Sequence, residues 1–475
     1  MRDPAVSVSD SAIPDTHERL SVNTKLAFGA GDLGPAIATG VLSFFQLFFL
    51  TTVAGLPANV AGSILLVVKI WDALSDPVVG WLSDRTVSKH GRRRPWLLYG
   101  ALPFGISFFL LWLVPPFGDG GKIAYYLVLM LIFNTLFTVV NVPYTALTPE
   151  LTRDYDERTS LNAYRFAFSI GGGLFAATVH QLIINGFCAN PDNCQGVVQQ
   201  PGYVAAGALW GIMVALPFLW CFFGTKERYT SAPSDDKMGL VDQVRVALSN
   251  RPFLFVIGIY LCSWLAVQIT ASIIIFYVTF WLENPDLIPI TLFAVQGSAF
   301  VFLFIWNAVS RRIGKKAVYI TGMLFWIVVQ SVLFFVQPGQ ESLTLILAVL
   351  AGIGIATAYL IPWSMMPDVI ELDELQTGQR REGIFYGFMV LLQKLGLALG
   401  LFLVGQVLAF QGFREDAPIG QQPESALLAI RLMLGPIPAV VLICGIVLAI
   451  FYPITKQKHA EMLVQIQARR SVQEE

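Results

Sequence analysis

The chain has 475 residues, of which 55% are hydrophobic and only 13% charged, and its mean hydropathy is +0.64. Soluble domains carry about 25% charged residues, so this chain lacks the polar surface that contact with water requires. The same composition excludes a disordered chain and a disulfide-stapled secreted domain, and a net charge of -1 excludes the basic field of a nucleic-acid-binding protein. The sequence is therefore that of an integral membrane protein.

Long apolar runs recur along the chain, and they are too long for the short alternating strands of a membrane barrel. They predict twelve helical spans, near residues 25–51, 57–83, 95–115, 122–148, 161–186, 203–223, 253–282, 288–310, 316–337, 341–370, 383–410 and 425–453. The first 23 residues are polar, so we expect no cleavable signal. With an even number of spans, both ends of the chain fall on one side of the membrane.

The basic residues predict which side that is. Of the 31 lysines and arginines, 25 fall in the termini and in the loops on the side of the termini. The opposite loops hold only Lys122 and Arg414, and the other four lie within or at the ends of spans, namely Lys69, Arg165, Lys394 and Arg431. Cytoplasmic loops are enriched in Lys and Arg, so we expect both termini in the cytoplasm. We also expect the protein to lie in the plasma (inner) membrane and to be a monomer.

The spans form two sets of six. We predict an N-terminal half at 25–223 and a C-terminal half at 253–453, with a cytoplasmic loop at 224–252 between them and cytoplasmic tails at 1–24 and 454–475. The fourth span ends in Pro143-Tyr-Thr-Ala-Leu-Thr-Pro-Glu150, and the tenth, at the equivalent place, in Pro362-Trp-Ser-Met-Met-Pro-Asp368. Such parallel repeats, with a binding site near the bilayer midplane, predict an all-α membrane protein with the major facilitator fold.

A motif between the second and third spans supports this fold. Gly80 and Asp84-Arg85 are followed by Gly91-Arg92-Arg-Arg94, which resembles the signature loop of the major facilitator superfamily. The preference for positive charge on the cytoplasmic side explains the arginines, but not Gly80 and Asp84 at that spacing. We expect Gly80, Asp84, Arg85, Arg92 and Arg94 to form a conformational latch rather than to bind a ligand.

Charges inside the spans are the candidate functional residues, because a charge at the centre of a membrane helix costs about 2.5–3.5 kcal/mol by insertion scales. Asp72 and Asp76 are four residues apart in the second span, so their carboxylates share one helix face, and Lys69 lies one turn earlier. Two carboxylates so close require a cation or a proton, and oxygen ligands suit a hard cation. The alternative is a buried ion-pair network that only ties helices together.

Other polar side chains lie at a similar depth. Thr138 and Asn141 fall in the fourth span, and Lys394 falls near the middle of the eleventh. We expect Lys394 and Lys69 to act as coupling residues; the alternative for Lys394 is a structural counter-ion. Asp32 lies in the first span. Arg165, near the cytoplasmic end of the fifth, either binds substrate or extends to the membrane surface. Aromatic side chains in the tenth span line a cavity or serve packing, namely Tyr359 and Trp363.

These segments resemble one transporter family. Gly31-Asp32-Leu-Gly34, Lys69-Ile-Trp-Asp72-Ala-Leu-Ser75-Asp76-Pro77, the two proline-bounded segments and Lys394 are similar to those of the glycoside–pentoside–hexuronide:cation symporters, and the similarity extends over nearly all twelve spans. The resemblance implies that Asp72, Ser75, Asp76 and Thr138 bind sodium as the coupling cation, and that Asp32 and the position of Asn141 bind sugar hydroxyls.

The chain departs from the family pattern at two positions. Asn141 stands where the family has an aspartate, and Thr145 falls near an expected tryptophan. The segments of the fourth and tenth spans also resemble a vertebrate sodium-dependent lysophospholipid transporter, so a lipid-like substrate is the alternative to a sugar.

We therefore expect a secondary active symporter that works by alternating access, couples sodium to a glycoside, pentoside or hexuronide, and needs no cofactor besides the coupling cation. Proton coupling through the same aspartates is the alternative within transport. An enzyme would need a nucleophile with a base or a metal cluster at one membrane depth, but of only four histidines just His180 lies in a span. Cys188 and Cys194 share an external loop and are either a disulfide or two free thiols.

Overall fold

The computed structural model describes residues 19–152, 154–187, 196–229, 240–379, 381–459, 461–462 and 464–465, and every structural statement below concerns these residues. Their regular structure is entirely helical. Cys188 and Cys194 lie outside the described residues, as do Asp235 and Lys237 of the central loop.

The N-terminal half is formed by α1 (Val22–Ala30), α2 (Leu33–Phe48), α3 (Ala58–Arg85), α4 (Arg94–Leu110), α5 (Asp119–Thr145), the short α6 (Thr148–Leu151), α7 (Tyr155–Gly186) and α8 (Gln200–Gly224). The central segment contains α9 (Leu240–Ser249), which the sequence analysis did not predict. The C-terminal half is formed by α10 (Arg251–Phe276), α11 (Ile288–Ile313), α12 (Lys315–Phe335), α13 (Glu341–Thr377), α14 (Glu382–Phe410), α15 (Glu424–Leu434) and α16 (Pro436–Phe451).

The twelve predicted spans are confirmed. Eleven helical segments of the described chain are long and apolar enough to cross a membrane. The twelfth is α4, whose 17 residues reach the lower limit of about 17 residues for a membrane helix. We call the membrane side that carries both described chain ends and the loop 86–93 the chain-end side, and the opposite side the far side.

Two spans expected to be continuous are interrupted. The first span breaks between α1 and α2 at Gly31 and Asp32, where a Cβ on Gly31 would come within 2.3 Å of the Tyr144 ring. The last span breaks at Gly435, between α15 and α16. The break in the first span matters most, because it places Asp32 at a point where the helix is not regular.

The tenth span is longer than predicted. We expected it to end near residue 370, but α13 continues through Pro362 and Pro367 to Thr377. It ends where Gly378 adopts a left-handed conformation, with a φ of 71°, which glycine accepts readily. Asp368 is therefore a helical residue.

The two halves meet tightly toward the far side. Near the far ends of α3 and α14, Gly62 faces Gly405, and a Cβ on Gly405 would lie 2.4 Å from the Ala58 carbonyl oxygen. Small residues allow membrane helices such close approach. The Phe48 ring, at the end of α2, also packs at 5.1 Å from the Phe276 ring at the end of α10. The far side is thus where the halves are packed against each other.

Candidate functional site

Two carboxylates and two hydroxyl groups meet between the second and fourth spans. Asp72 and Asp76 lie one turn apart on α3, and the Thr138 hydroxyl on α5 lies 3.1 Å from Asp72 Oδ1 and 3.0 Å from Asp76 Oδ1. The Ser75 hydroxyl donates to the Asp72 carbonyl oxygen at 3.0 Å and lies 3.5 Å from the Thr138 hydroxyl. The structure thus brings together the four residues predicted as cation ligands.

The two carboxylates differ in their access to solvent. The Asp72 side chain is 2% exposed, whereas the Asp76 side chain is 27% exposed. A ligand would therefore reach Asp76 first. Asp72 closes the inner end of the site.

Two lysines neutralise this pair of acids. Lys394, from α14 in the other half, places Nζ 2.5 Å from Asp76 Oδ2 and 3.1 Å from Asp72 Oδ2. Lys69 Nζ lies 3.8 Å from Asp72 Oδ2 and donates to the Asn134 amide oxygen at 3.0 Å. Buried charges require such partners, because their desolvation is costly. Lys394 consequently links the two halves through the site itself.

The sequence analysis missed Asn134. It lies on α5 one turn before Thr138, so helical spacing could have placed it on the same face. Its amide also donates to the Met130 carbonyl oxygen at 2.9 Å, which leaves the amide oxygen to accept from Lys69.

The site lies near the middle of the two helices that carry it. Asp72 precedes the end of α3 by thirteen residues, and Lys394 follows the start of α14 by twelve. At about 1.5 Å of rise per residue, both lie roughly 18–20 Å from the ends of these helices on the chain-end side.

A second charged pair lies within the N-terminal half. Arg165 Nη2 on α7 lies 3.4 Å from Asp32 Oδ1, and both side chains are largely buried. The Arg165 guanidinium also lies over the Tyr144 ring, 5.2 Å from its centre, and the Tyr144 hydroxyl donates to the Phe28 carbonyl oxygen at 2.7 Å. Arg165 therefore pairs with an acid inside the protein, a contact that the sequence analysis did not predict.

One helix connects these two clusters. On α5, Thr138 belongs to the carboxylate site and Tyr144 to the Arg165 pair, and the half-buried Asn141 lies one turn from each. Asn141 therefore lies between the two clusters along the helix axis, turned by about 60° from Thr138 and from Tyr144.

Aromatic side chains form a third cluster, in the C-terminal half. Tyr359 on α13 packs against Trp264 at 5.6 Å between ring centres, and Trp363 packs against Tyr260 at 6.0 Å and stacks on Tyr386 at 6.3 Å. Trp264 Nε1 is buried and has no hydrogen-bond partner in the part of the chain that the structure describes. The sequence analysis named Tyr359 and Trp363 but missed their three partners, because nothing in the sequence shows which rings face each other.

The predicted latch residues lie on the chain-end side of the N-terminal half. Arg93 Nη2 forms an ion pair with Asp84 Oδ1 at 2.7 Å, and Arg93 Nε donates to Glu150 at 2.8 Å. Arg92 donates to Glu150 at 2.5 Å. Glu150 is 1% exposed. It is the centre of this network, and the sequence analysis gave it no role although it ends the quoted proline-bounded segment.

The remaining latch residues make separate contacts. Arg94 donates to the Phe222 carbonyl oxygen at 2.6 Å, and the Arg85 guanidinium lies 4.1 Å from the Trp81 ring centre. A Cβ on Gly80 would meet Val142 only at 3.8 Å, an ordinary contact, so no close approach requires glycine there.

Glu227, just after α8, caps the start of the third span. Its carboxylate accepts from the backbone N–H groups of Arg92, Arg93 and Arg94 at 2.6, 2.8 and 2.9 Å. An anion at a helix N-terminus is favourable, because it satisfies N–H groups that have no partner within the helix. Glu227 thereby fixes the start of the central segment to the end of the loop 86–93 and the first residue of α4.

The C-terminal half repeats this arrangement. Lys315, at the start of α12, donates to Asp368 on α13 at 2.6 Å, as Arg92 and Arg93 do to Glu150. Asp368 and Glu150 occupy equivalent places in the two proline-bounded segments. The internal repeat inferred from the sequence thus extends to the ion pairs.

Comparisons with known proteins agree with this architecture. The family model described as MFS/sugar transport protein matches residues 27–456. An uncharacterised symporter of Synechocystis sp. (strain ATCC 27184 / PCC 6803 / Kazusa) is 44% identical, over 95% of this chain and 98% of that protein. A putative glycoside/cation symporter of Escherichia coli (strain K12) is 28% identical, over 96% of this chain and 97% of that protein.

A further relative and a solved structure extend the comparison. The sodium-dependent lysophosphatidylcholine symporter 1-A of Danio rerio is 29% identical, over 96% of this chain and 90% of that protein. A crystal structure of a mutant of the nucleoside transporter NupG has a TM-score of 0.65 at 13% identity, covering 90% of this chain and 98% of that one. At that identity the likeness concerns the fold alone, and the predicted major facilitator fold is confirmed.

Proposed function

Because this chain belongs to the MFS/sugar transport family of the major facilitator superfamily, we propose that it couples sodium to the movement of a sugar derivative. The chain is a multi-pass membrane transporter of the symporter type and not an enzyme. The sodium site, the substrate and the orientation in the membrane are the proposed parts.

The observation that carries the sodium site is the convergence of oxygen atoms on a positive charge. One oxygen each of Asp72 and Asp76 lies within 3.1 Å of Lys394 Nζ, and the Thr138 hydroxyl lies within 3.1 Å of both carboxylates. Hard cations take such oxygen ligands. A sodium ion at this point would displace the ammonium group of Lys394 from at least one carboxylate.

Competition between sodium and Lys394 for the two carboxylates is the physical basis for coupling cation binding to the conformation. In the absence of sodium, Lys394 compensates the two carboxylates and holds α14 against α3. Sodium takes over that compensation and frees Lys394 on the opposite half. The equilibrium between conformations then depends on whether the cation is bound, which is the requirement for coupling.

Sodium explains the site better than a proton does. A proton needs only one carboxylate, whereas Thr138 and Ser75 add two neutral oxygens beside Asp72. A relative whose name includes sodium dependence is 29% identical over 96% of this chain. Proton coupling is the competing outcome of the experiment below.

For the substrate, the support comes from the Asp32–Arg165 pair and the aromatic cluster. Asp32 accepts hydrogen bonds from hydroxyl groups, and Arg165 binds a carboxylate. Asn141, between the two clusters, both donates and accepts. A sugar that also carries a carboxylate, a hexuronide or its glycoside, matches this set, and Tyr359 and Trp363 offer ring faces for its apolar side.

A lysophospholipid is the second candidate, supported by the name of the Danio rerio relative. Its phosphate would occupy the position proposed here for the carboxylate at Arg165. The experiment therefore includes both classes of substrate.

We also infer that the chain-end side is cytoplasmic and that this conformation is closed toward the outside. The support is the excess of basic residues on the chain-end side and the tight packing of Gly62 on Gly405 at the far side.

Single-cysteine variants test the orientation. An impermeant thiol reagent should label Cys188 or Cys194 in intact cells after reduction, and a cysteine at Ser88 only after permeabilisation; the reverse pattern would overturn it.

The function is tested by uptake into proteoliposomes with sodium and pH gradients imposed separately. The panel contains neutral glycosides, hexuronides and lysophosphatidylcholine. We expect a sodium gradient to drive accumulation of a hexuronide, and Asp72→Asn to abolish it. Asp119→Asn, an exposed acid at the start of α5, is the matched control. Accumulation driven only by the pH gradient would refute sodium coupling, and accumulation of lysophosphatidylcholine alone would refute the sugar.

A further inference from the structure

A nitrogen and two carboxylate oxygens converge on the chain-end side of the C-terminal half, at the end of α13 that carries the Lys315–Asp368 ion pair. Asp368 and Glu371 lie one turn apart on α13, and His459 follows the last span. His459 Nε2 lies 2.8 Å from Glu371 Oε2 and 3.3 Å from Asp368 Oδ1, and the three atoms lie within 4.8 Å of one another. These are the donor types that bind divalent metals.

The cluster is sheltered but open to a ligand. The side chain of Asp368 is 7% exposed, that of Glu371 26% and that of His459 28%. Ions can therefore enter from the side of Glu371 and His459, while Asp368 forms the floor.

A buried hydroxyl nearby lacks a partner. Tyr452 is 3% exposed, and its hydroxyl makes no hydrogen bond within the described part of the chain. The charge of Asp368 acts on this phenol, so the hydroxyl lies near that carboxylate. An unsatisfied buried hydroxyl near the Asp368 carboxylate indicates room for a further polar ligand, such as a metal-bound water.

We propose that His459, Asp368 and Glu371 bind a divalent transition metal of the zinc type, with water completing a four-coordinate site. Zinc binds nitrogen and carboxylate oxygen at about 2.0–2.2 Å, so tetrahedral ligands stand about 3.4 Å apart. The distance of 3.3 Å between His459 and Asp368 already matches, and His459 must move away from Glu371 by about 0.6 Å. Calcium and magnesium are disfavoured, because they prefer all-oxygen sites with more ligands.

Lys315 is the residue that a metal must compete with. Its Nζ lies 2.6 Å from Asp368 Oδ1 and also donates to the Ser364 carbonyl oxygen at 2.6 Å. The hydrogen bond to the Ser364 carbonyl oxygen keeps Lys315 in place when the metal replaces it at Asp368 Oδ1. A bound metal would thus fix the segment after the last span to the end of α13. This point lies next to the Lys315–Asp368 ion pair, the counterpart of the Glu150 network in the N-terminal half.

The test is zinc binding to the purified full-length protein without a polyhistidine tag. We expect saturable binding that His459→Ala and Glu371→Gln each weaken at least tenfold, while His90→Ala, in the loop of the other half, leaves it unchanged. Cobalt should give the absorption bands of a four-coordinate site in the wild type and lose them in His459→Ala. The measurement needs no transport assay, so its outcome is independent of the proposed function.

The thermal midpoint without zinc shows whether each variant folds, and His459→Gln replaces His459→Ala if the latter does not. Zinc should raise the midpoint of the wild type and not that of the folded His459 variant. Equal zinc affinity in the wild type and the His459 variant, or no saturable binding in the wild type, would overturn the proposal.

Discussion

The ammonium group of Lys394 lies 2.5 Å from the carboxylate of Asp76, a contact that joins the eleventh span to the second across the interface between the halves. The same ammonium lies 3.1 Å from Asp72, so one side chain of the C-terminal half compensates both acids of the N-terminal half. Any cation that binds these acids must compete with a residue that belongs to the other half.

Lys394→Ala should separate two steps of transport. Without its ammonium, the empty carrier has two partly uncompensated carboxylates and returns slowly, so net uptake should fall at least tenfold. Exchange of labelled for unlabelled substrate, with saturating sodium on both sides, should continue because the carrier never returns empty. Lys316→Ala is the control, since Lys316 binds the Ile450 carbonyl oxygen outside the site. Equal loss of net uptake and exchange would indicate that Lys394 is only a structural counter-ion.

Asp76→Asn should abolish concentrative uptake while the protein still folds. Two unit charges about 4 Å apart interact by about 4 kcal/mol at the effective dielectric constant of a protein surface, so losing one carboxylate should weaken sodium binding about a hundredfold or more. The measurement is the sodium concentration that half-saturates binding to the purified protein, which needs no uptake. An unchanged sodium dependence in both Asp72→Asn and Asp76→Asn would place the cation site elsewhere.

Thr138→Val should reduce sodium affinity without changing charge. Valine has nearly the shape of threonine but cannot donate to Asp72 and Asp76 or bind a cation. Hydrogen bonds to charged groups contribute about 1.5–3 kcal/mol, so we expect a loss of about ten- to a hundredfold. Thr138→Ser keeps the hydroxyl and should retain most of the affinity. If valine and serine behave alike, the hydroxyl is not a ligand.

Asp32→Asn should distinguish the substrate site from the sodium site. The change removes the acceptor proposed for sugar hydroxyls and the partner of Arg165, and substrate binding should weaken about ten- to a hundredfold by the same estimate for charged hydrogen bonds. Sodium binding to the purified protein should persist, because Asp72 and Asp76 are intact. Loss of sodium binding together with substrate binding would show that Asp32 acts on the fold or on both sites.

Glu150→Gln should destabilise the N-terminal half. The carboxylate is 1% exposed and accepts from both Arg92 and Arg93, so neutralising it removes the one negative charge that the two arginines share. Breaking such a buried pair costs about 3–5 kcal/mol. A lower thermal midpoint in detergent is the expected result. Glu424→Gln, at an exposed helix start, serves as the control and should match the wild type.

Much of this molecule could be predicted from the sequence, because the bilayer imposes strong constraints. The spans follow from hydrophobic length, and Asp72 and Asp76 share a face because of the helical repeat. Depth along each span also brought Thr138 and Lys394 into the same predicted layer. Their predicted functional roles are still to be tested.

What the sequence could not provide is how each helix is rotated toward its neighbours. Arg165 could equally have reached the membrane surface, and its pairing with Asp32 depends on how α7 packs beside the break in the first span. The capping role of Glu227 could not be predicted for the same reason, since this residue caps α4 from a segment that is distant in the sequence. The continuation of α13 through two prolines also depends on packing, because proline disfavours a helix interior locally.

The most direct test of the central claim is equilibrium binding of radioactive sodium to the purified protein, compared among the wild type, Asp76→Asn, Lys394→Ala and Asp119→Asn. If sodium and Lys394 compete for the two carboxylates, the wild type binds sodium saturably, Asp76→Asn loses this binding, Lys394→Ala keeps it or binds more tightly, and Asp119→Asn resembles the wild type. Sodium binding in Asp76→Asn equal to that of the wild type, or loss of binding in Lys394→Ala with the fold intact, would contradict the account.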